Sequence, residues 1–247
     1  AHLSFVTVSM RVMSAGDGYE YLLRSVVAGD GNRSLSTPLT RYYEEAGTPP
    51  GYWLGSGVHA FGGGEIAPGA TVGEDQLALL LGQGRDPLTG DQLGRAFPKY
   101  QSVADRITAR VAELDSGLSG EERDVEVGRI EAEEPEKGKN RAVAGYDFTF
   151  SVPKSVSVLW GVADAATQEM LVEAHHAAVA EVVAFLEREV AATRAGVAAR
   201  DGAVAQVGVA GIAATAYDHW DSRCGDPQLH THVVISNKVK TAQDGKW

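Results

Sequence analysis

The sequence predicts a mixed α/β (α+β) fold, an antiparallel sheet backed by helices, with a mostly helical insertion. Three observations carry this expectation. Residues 146–151 alternate strictly, with Tyr146, Phe148 and Phe150 on one face and Asp147, Thr149 and Ser151 on the other. Residues 164–192 read as one long helix in which Leu171, Ala174, Ala178, Val182 and Leu186 form a stripe suited to packing on a sheet. Finally, AVAQVGVAGIAATAYDH and LHTHVVISNKV are β-rich runs joined by the polar loop WDSRCGDPQ, which predicts neighbouring antiparallel strands.

The remaining elements follow in chain order. LSFVTVS at 3–9 reads as a first strand, with the turn-rich SAGDG after it and a helical stretch from about Tyr19. The Gly- and Pro-rich stretch 47–70 carries Tyr52, Trp53 and Phe61, so it reads as an ordered loop and not a flexible linker. Thr71 and Glu74 form a capping-box pattern before LALLL, with Gly82 as the stop of that helix. A helix near 99–115 precedes the charged stretch 116–142, which reads as a solvated helix or mobile insertion.

Composition bounds the function classes. With 247 residues, 44% of them hydrophobic, the chain can bury one sizeable core, which excludes fibrous and disordered classes. No apolar run approaches the roughly 18 residues of a membrane helix, and the opening AHLSFVTVSMRV lacks a signal-peptide pattern, so a cytoplasmic protein is expected. Cys224 is the single cysteine, which excludes an internal disulfide or a thiolate metal cage. The net charge of −11 opposes nucleic-acid binding at face value. That acidity is concentrated: residues 121–137 hold eight acids against three bases, whereas 211–247 hold four of each plus three histidines. No GxxxxGK[ST] phosphate loop is present.

The chemistry gathers in the last strand run. His230 and His232 are two residues apart on a strand and so leave one face roughly 6.5–7 Å apart at the backbone, close enough to share an ion. His219 lies at the adjoining strand end and can supply a third nitrogen. Three neutral imidazoles leave coordination positions open, as a catalytic metal site requires. Asp147 can orient a metal histidine or take a proton. Lys154 and Ser155 follow Pro153, where they can meet phosphate or form a solvated turn. Tyr19 and Tyr21, and later Tyr42 and Tyr43, can serve as nucleophiles or as packing aromatics.

These residues carry a family resemblance. His219-Trp-Asp-Ser-Arg-Cys-Gly-Asp-Pro-Gln-Leu-His-Thr-His-Val-Val-Ile-Ser-Asn237 resembles the metal motif of MobF-class relaxases, the TrwC/TraI group of the HUH endonuclease superfamily. GYDFTFSVPKSVSVLW (145–160) resembles the second family motif, and LSF…SAGDGYEY (3–21) the segment carrying the nucleophilic tyrosine. The resemblance implies that His219, His230 and His232 bind metal and that Asp147 supports the nucleophile and the metal site. It makes Tyr19 the attacking residue by position. Adjacent tyrosines are common there in the family, whereas this chain has Tyr-Glu-Tyr, so Tyr21 competes for the role. Tyr42 and Tyr43 resemble a second tyrosine pair, and Tyr42, Lys154, Ser155 and Arg223 are the expected DNA contacts.

The resemblance further implies a ferredoxin-like palm, with residues 1–247 forming one C-terminally incomplete catalytic domain and 65–142 a helical, acidic insertion. The implied reaction is nicking and rejoining of single-stranded DNA at a plasmid transfer origin, through a 5′-phosphotyrosine, with Mg²⁺ or Mn²⁺ as the ion and Zn²⁺ or Ni²⁺ also accepted. A downstream helicase and other relaxosome proteins are the implied partners. Two other classes remain open. A three-histidine hydrolase or cupin-like enzyme would want a Glu shortly after His-x-His, where Ser236 and Asn237 stand. A non-catalytic DNA-binding module would need no nucleophile.

Overall fold

Alternating burial along the strands decides how the sheet is assembled. The protein, described here as a computed structural model, is defined for residues 7–22, 49–98, 102–136, 142–195, 205–222 and 224–247. Strands β1 (Thr7–Ser14), β2 (Tyr52–Leu54), β3 (Val143–Ser151), β6 (Ala214–Asp221) and β7 (Pro227–Ser236) form one antiparallel sheet in the order β1-β3-β7-β6-β2. β4 (Ala192–Ala195) and β5 (Ala205–Gly208) pair separately as a two-stranded ribbon. The antiparallel, helix-backed sheet read from the sequence is therefore present. The first strand runs on to Ser14, past its expected end at Ser9, because β1 pairs with β3 that far; residues 1–6 fall outside the described set.

One face of the sheet is apolar. Phe150, Ala214, Ala216, Val233 and Ile235 pack there with Val179 and Val183 of a long helix, Ala165–Phe185, which ends in a wider π-type turn at Leu186–Val190. Asp164 caps that helix by accepting from the Thr167 N–H at 2.8 Å. Its buried stripe is Gln168, His175, Val179 and Val183, while Ala174 is exposed. The stripe expected from hydrophobicity is thus turned by about one residue, because two polar side chains hold inward positions.

The segment after β2 is ordered, as its aromatics suggest: Trp53 and Phe61 are buried. Gly51 is required where it stands, since a Cβ there would lie 2.3 Å from the Tyr217 ring. The next helix, Glu74–Leu77 continuing as a π-type turn at Ala78–Gln83, starts two residues later than a Thr71 cap would place it. Its N-cap is Gly73, whose N–H donates to Gln76 Oε1 at 2.9 Å, because Thr71 is engaged in a bridge with Tyr52. It stops at Gly84, not Gly82, since Gly84 adopts the left-handed conformation at φ 69°.

Contacts divide the chain into two units, residues 1–96 with 143–247, and Phe97–Ala142. Residues 65–96 cluster with the sheet-bearing unit. The smaller unit consists of helices Val103–Ala112 and Gly120–Glu136. Buried Glu134 accepts from Arg106 Nε at 2.8 Å and pairs with Arg110 at 2.7 Å, so the two helices are tied by charge as well as by packing. Among the described residues no helix is long and apolar enough to cross a membrane.

Candidate metal centre and nucleophile

Antiparallel register brings the three histidines together. His219 of β6 and His230 of β7 are direct partners, and His232 follows two residues along the same face. Their ring centroids lie 5.1, 5.1 and 5.4 Å apart, and one ligating atom from each lies within 4.8 Å of the others. Small side-chain rotations would close them on one ion.

The hydrogen bonds favour that use. His230 Nδ1 donates to the Gln228 carbonyl at 2.8 Å, which leaves its Nε2 lone pair free to ligate. His232 Nδ1 donates to the Asp147 carboxylate at 3.0 Å, with the same consequence. His219 Nε2 is buried and has no hydrogen-bond partner. An orphaned buried nitrogen facing two oriented imidazoles fits a divalent cation. Burial first, then the His232 and His230 charges, push the His219 pKa down to about 4, so it is neutral and ready to ligate near pH 7.

Asp147, 1% exposed on β3, joins this centre to a phenol. The Tyr21 hydroxyl donates to Asp147 Oδ2 at 2.5 Å, and its ring lies edge-on to His232 with centroids 6.4 Å apart. Burial, followed by the hydrogen bond and charge of Asp147, raises the Tyr21 pKa above its ordinary value. Tyr19, the candidate favoured by position in the sequence, lies elsewhere. Its ring abuts Gly82, and Glu20, Glu74 and Asp75 are its charged neighbours. Among the described residues it makes no hydrogen bond or ring contact with Asp147 or the histidines. The two tyrosines separate because the chain turns at residues 18–19 and becomes helical from Glu20.

The expected DNA contacts divide as well. Lys154 and Ser155 occupy the first turn of a helix, Lys154–Val162, and not an open turn. Lys154 Nζ pairs with Asp226 and donates to the Pro227 carbonyl at 2.9 Å, while Ser157 Oγ accepts from Leu229 N–H at 3.1 Å. This helix therefore anchors the start of the metal strand, and Lys154 is committed to that contact. Ser155 is exposed. Tyr42, Tyr43 and Arg223 lie outside the described residues.

A second polar group sits behind the metal strands and was not found from sequence. Asp218 and Thr231 are register partners on the face opposite the histidines. Thr231 Oγ1 donates to Asp218 Oδ1 at 2.6 Å and accepts from His175 Nε2 at 2.9 Å, while His176 Nε2 donates to Asp218 Oδ2 at 3.0 Å. Thus a His-His pair on the long helix clamps both metal-bearing strands. The signal available was the adjacent His175-His176 pair itself, in the middle of a helix expected to pack on the sheet. Thr231→Val is expected to destabilise the fold by about 1–3 kcal/mol in urea unfolding, because it strips buried His175 and Asp218 of a shared partner.

The same burial predicts a pH dependence. His175, like His219, has its pKa pushed down to about 4, chiefly by burial. The unfolded chain takes up these protons near pH 6.5, whereas the folded protein resists them until about pH 4. The unfolded state binds more protons across that window, so stability falls as pH drops through it. Thermal unfolding without metal should show its midpoint declining between those two pH values. His175→Gln should flatten part of that decline.

Comparison with known proteins bears on the family and the fold. The family model described as TrwC relaxase matches residues 15–247. The multifunctional conjugation protein TraI of Escherichia coli is 37% identical over 110 residues, covering 44% of this chain and 6% of that protein. TraI of Escherichia coli strain K12 is 34% identical over 155 residues, covering 59% of this chain and 8% of that protein. A solved structure of the conjugative relaxase TrwC in complex with oriT DNA, copper-bound, aligns with a TM-score of 0.57 at 22% identity, covering 98% of this chain and 60% of that chain. Its metal-free counterpart aligns with a TM-score of 0.55 at 21% identity, covering 98% and 59%. The chain thus spans under a tenth of TraI and about three fifths of the TrwC structures. Those structures share its fold, and the family match runs over nearly its whole length: the chain belongs to the TrwC relaxase family.

Proposed function

We propose that this chain nicks one strand of DNA by transesterification at a conjugative transfer origin, with Tyr21 as nucleophile. The single observation that carries the reading is the continuous contact Tyr21–Asp147–His232, which couples a phenol to the metal-binding face. Asp147 accepts the phenolic proton as the Tyr21 oxygen attacks phosphorus. The P–O bond to the 3′-oxygen breaks, that oxygen leaves and takes a proton from water to become the 3′-hydroxyl, and a 5′-phosphotyrosine ester remains. The energy of the broken bond stays in that ester, so the strand can be rejoined without ATP. A divalent ion held by His219, His230 and His232 would supply positive charge to the nonbridging oxygens of the phosphate. Mg²⁺ or Mn²⁺ is the proposed physiological ion, with Zn²⁺ and Ni²⁺ able to occupy three imidazoles.

The setting follows from the family. Residues 1–247 are proposed to act as one catalytic domain with the Phe97–Ala142 unit inserted in it, working in the cytoplasm beside a helicase and other relaxosome proteins. A hydrolase would need an activated water at the metal, whereas here the group bonded to the general base is a phenol. The test is to incubate the protein with Mn²⁺ and labelled single-stranded oligonucleotides tiling the DNA that flanks its own gene, then run a denaturing gel. A labelled band migrating with the protein is the expected result. Cleavage with no covalent band would instead favour the hydrolase.

A further inference from the structure

The site face of the sheet extends past the histidines. On that face β7 carries His230 and His232, β3 carries Asp147, Thr149 and Ser151, and the edge strand β1 carries Thr7, Ser9 and Arg11. Val8, Met10 and Val12 point to the opposite face. Arg11 is the direct register partner of Asp147. Its side chain therefore rises beside the carboxylate that holds Tyr21, one strand away on the side remote from His232.

The charge setting makes this position unusual. The protein carries a net charge of −11, and Arg11 is the one Lys or Arg in the five strands of the main sheet. It is exposed, and among the described residues no hydrogen bond or ion pair holds its guanidinium. Lys154, the other cation expected near the site, is committed to Asp226 and Pro227. A structural arginine beside a buried carboxylate would be expected to form a bidentate pair with it. Asp147 instead spends its oxygens on Tyr21 and His232, so the adjacent guanidinium keeps its five donors for a ligand.

Resting on the relaxase reading above, we infer that Arg11 is a phosphate-gripping catalytic residue: its guanidinium binds the DNA phosphate at the Tyr21 side of the site, opposite the histidine centre. The scissile phosphate is then held between two positive groups, and Thr7 and Ser9 offer hydroxyls to the backbone further along β1. The Arg11 charge also lowers the cost of forming the Tyr21 phenolate.

The test uses the whole chain with Arg11→Ala and Arg11→Lys. Single-turnover adduct formation with Mn²⁺ and the oligonucleotide that the wild type cleaves should slow roughly 100-fold in Arg11→Ala, with partial recovery in Arg11→Lys. For binding of fluorescent oligo-dT, the slope of log affinity against log salt should become shallower by about 0.7 in Arg11→Ala and be retained in Arg11→Lys. Ni²⁺ affinity measured by calorimetry should stay unchanged in both, which separates loss of a phosphate contact from damage to the centre. Wild-type adduct formation with an unaltered rate and salt slope in Arg11→Ala overturns the role of Arg11 and leaves the relaxase reading standing. No wild-type adduct, together with a salt slope that still depends on Arg11, rejects the nuclease but keeps the phosphate contact. A wild type that binds no oligonucleotide overturns both.

Discussion

Tyr21→Phe should eliminate the covalent DNA adduct, a loss of roughly a thousandfold or more in single-turnover rate, while Tyr19→Phe should retain it. The asymmetry follows from where the two hydroxyls lie. Tyr21 donates to Asp147 at 2.5 Å, and Asp147 in turn holds His232, so the phenolic oxygen stands beside both the proposed base and the histidine face. Tyr19 rests against Gly82, where burial first and then the charges of Glu20, Glu74 and Asp75 raise its pKa, and those acids would repel an incoming phosphate. Metal affinity should be unchanged in Tyr21→Phe, because phenylalanine keeps the ring beside His232 and removes only the oxygen. An adduct that persists in Tyr21→Phe and vanishes in Tyr19→Phe would reject the assignment and require the turn at residues 18–19 to rearrange when DNA binds.

The choice between these tyrosines shows what the sequence could and could not carry. His230 and His232 were legible because strand periodicity puts residues two apart on one face, and His219 because a short polar loop must return the chain antiparallel. The face of Asp147 was legible for the same reason. Tyr19 and Tyr21 are also two apart, but they straddle a turn leading into a helix, where that periodicity no longer applies. Lys154 looked available for phosphate because its partner, Asp226, lies 72 residues away in the loop before the metal strand. The long helix shows a related limit. Hydrophobicity located it, but its inward stripe includes Gln168 and His175, which an apolar count passes over until their partners are known. Arg11 stood out only once register placed it opposite Asp147.

Asp147→Asn should slow adduct formation by roughly a thousandfold and weaken metal binding by about 10- to 100-fold. Both effects come from one carboxylate with two obligations. Its oxygens accept from the Tyr21 hydroxyl and from His232 Nδ1, and the latter bond fixes the imidazole tautomer whose Nε2 can ligate. An asparagine has a single carbonyl oxygen to divide between two donors, and its amide hydrogens face His232 Nδ1 or the Tyr21 oxygen instead. If the amide turns toward His232, the ring proton moves to Nε2 and a ligand is lost. If it turns toward Tyr21, no group remains to take the phenolic proton. The two losses separate experimentally: saturating Mn²⁺ should restore occupancy, measured by calorimetry, while the rate stays low because the base is absent. Full recovery of rate at high Mn²⁺ would mean that Asp147 acts only by orienting His232 and that the proton leaves Tyr21 by another route.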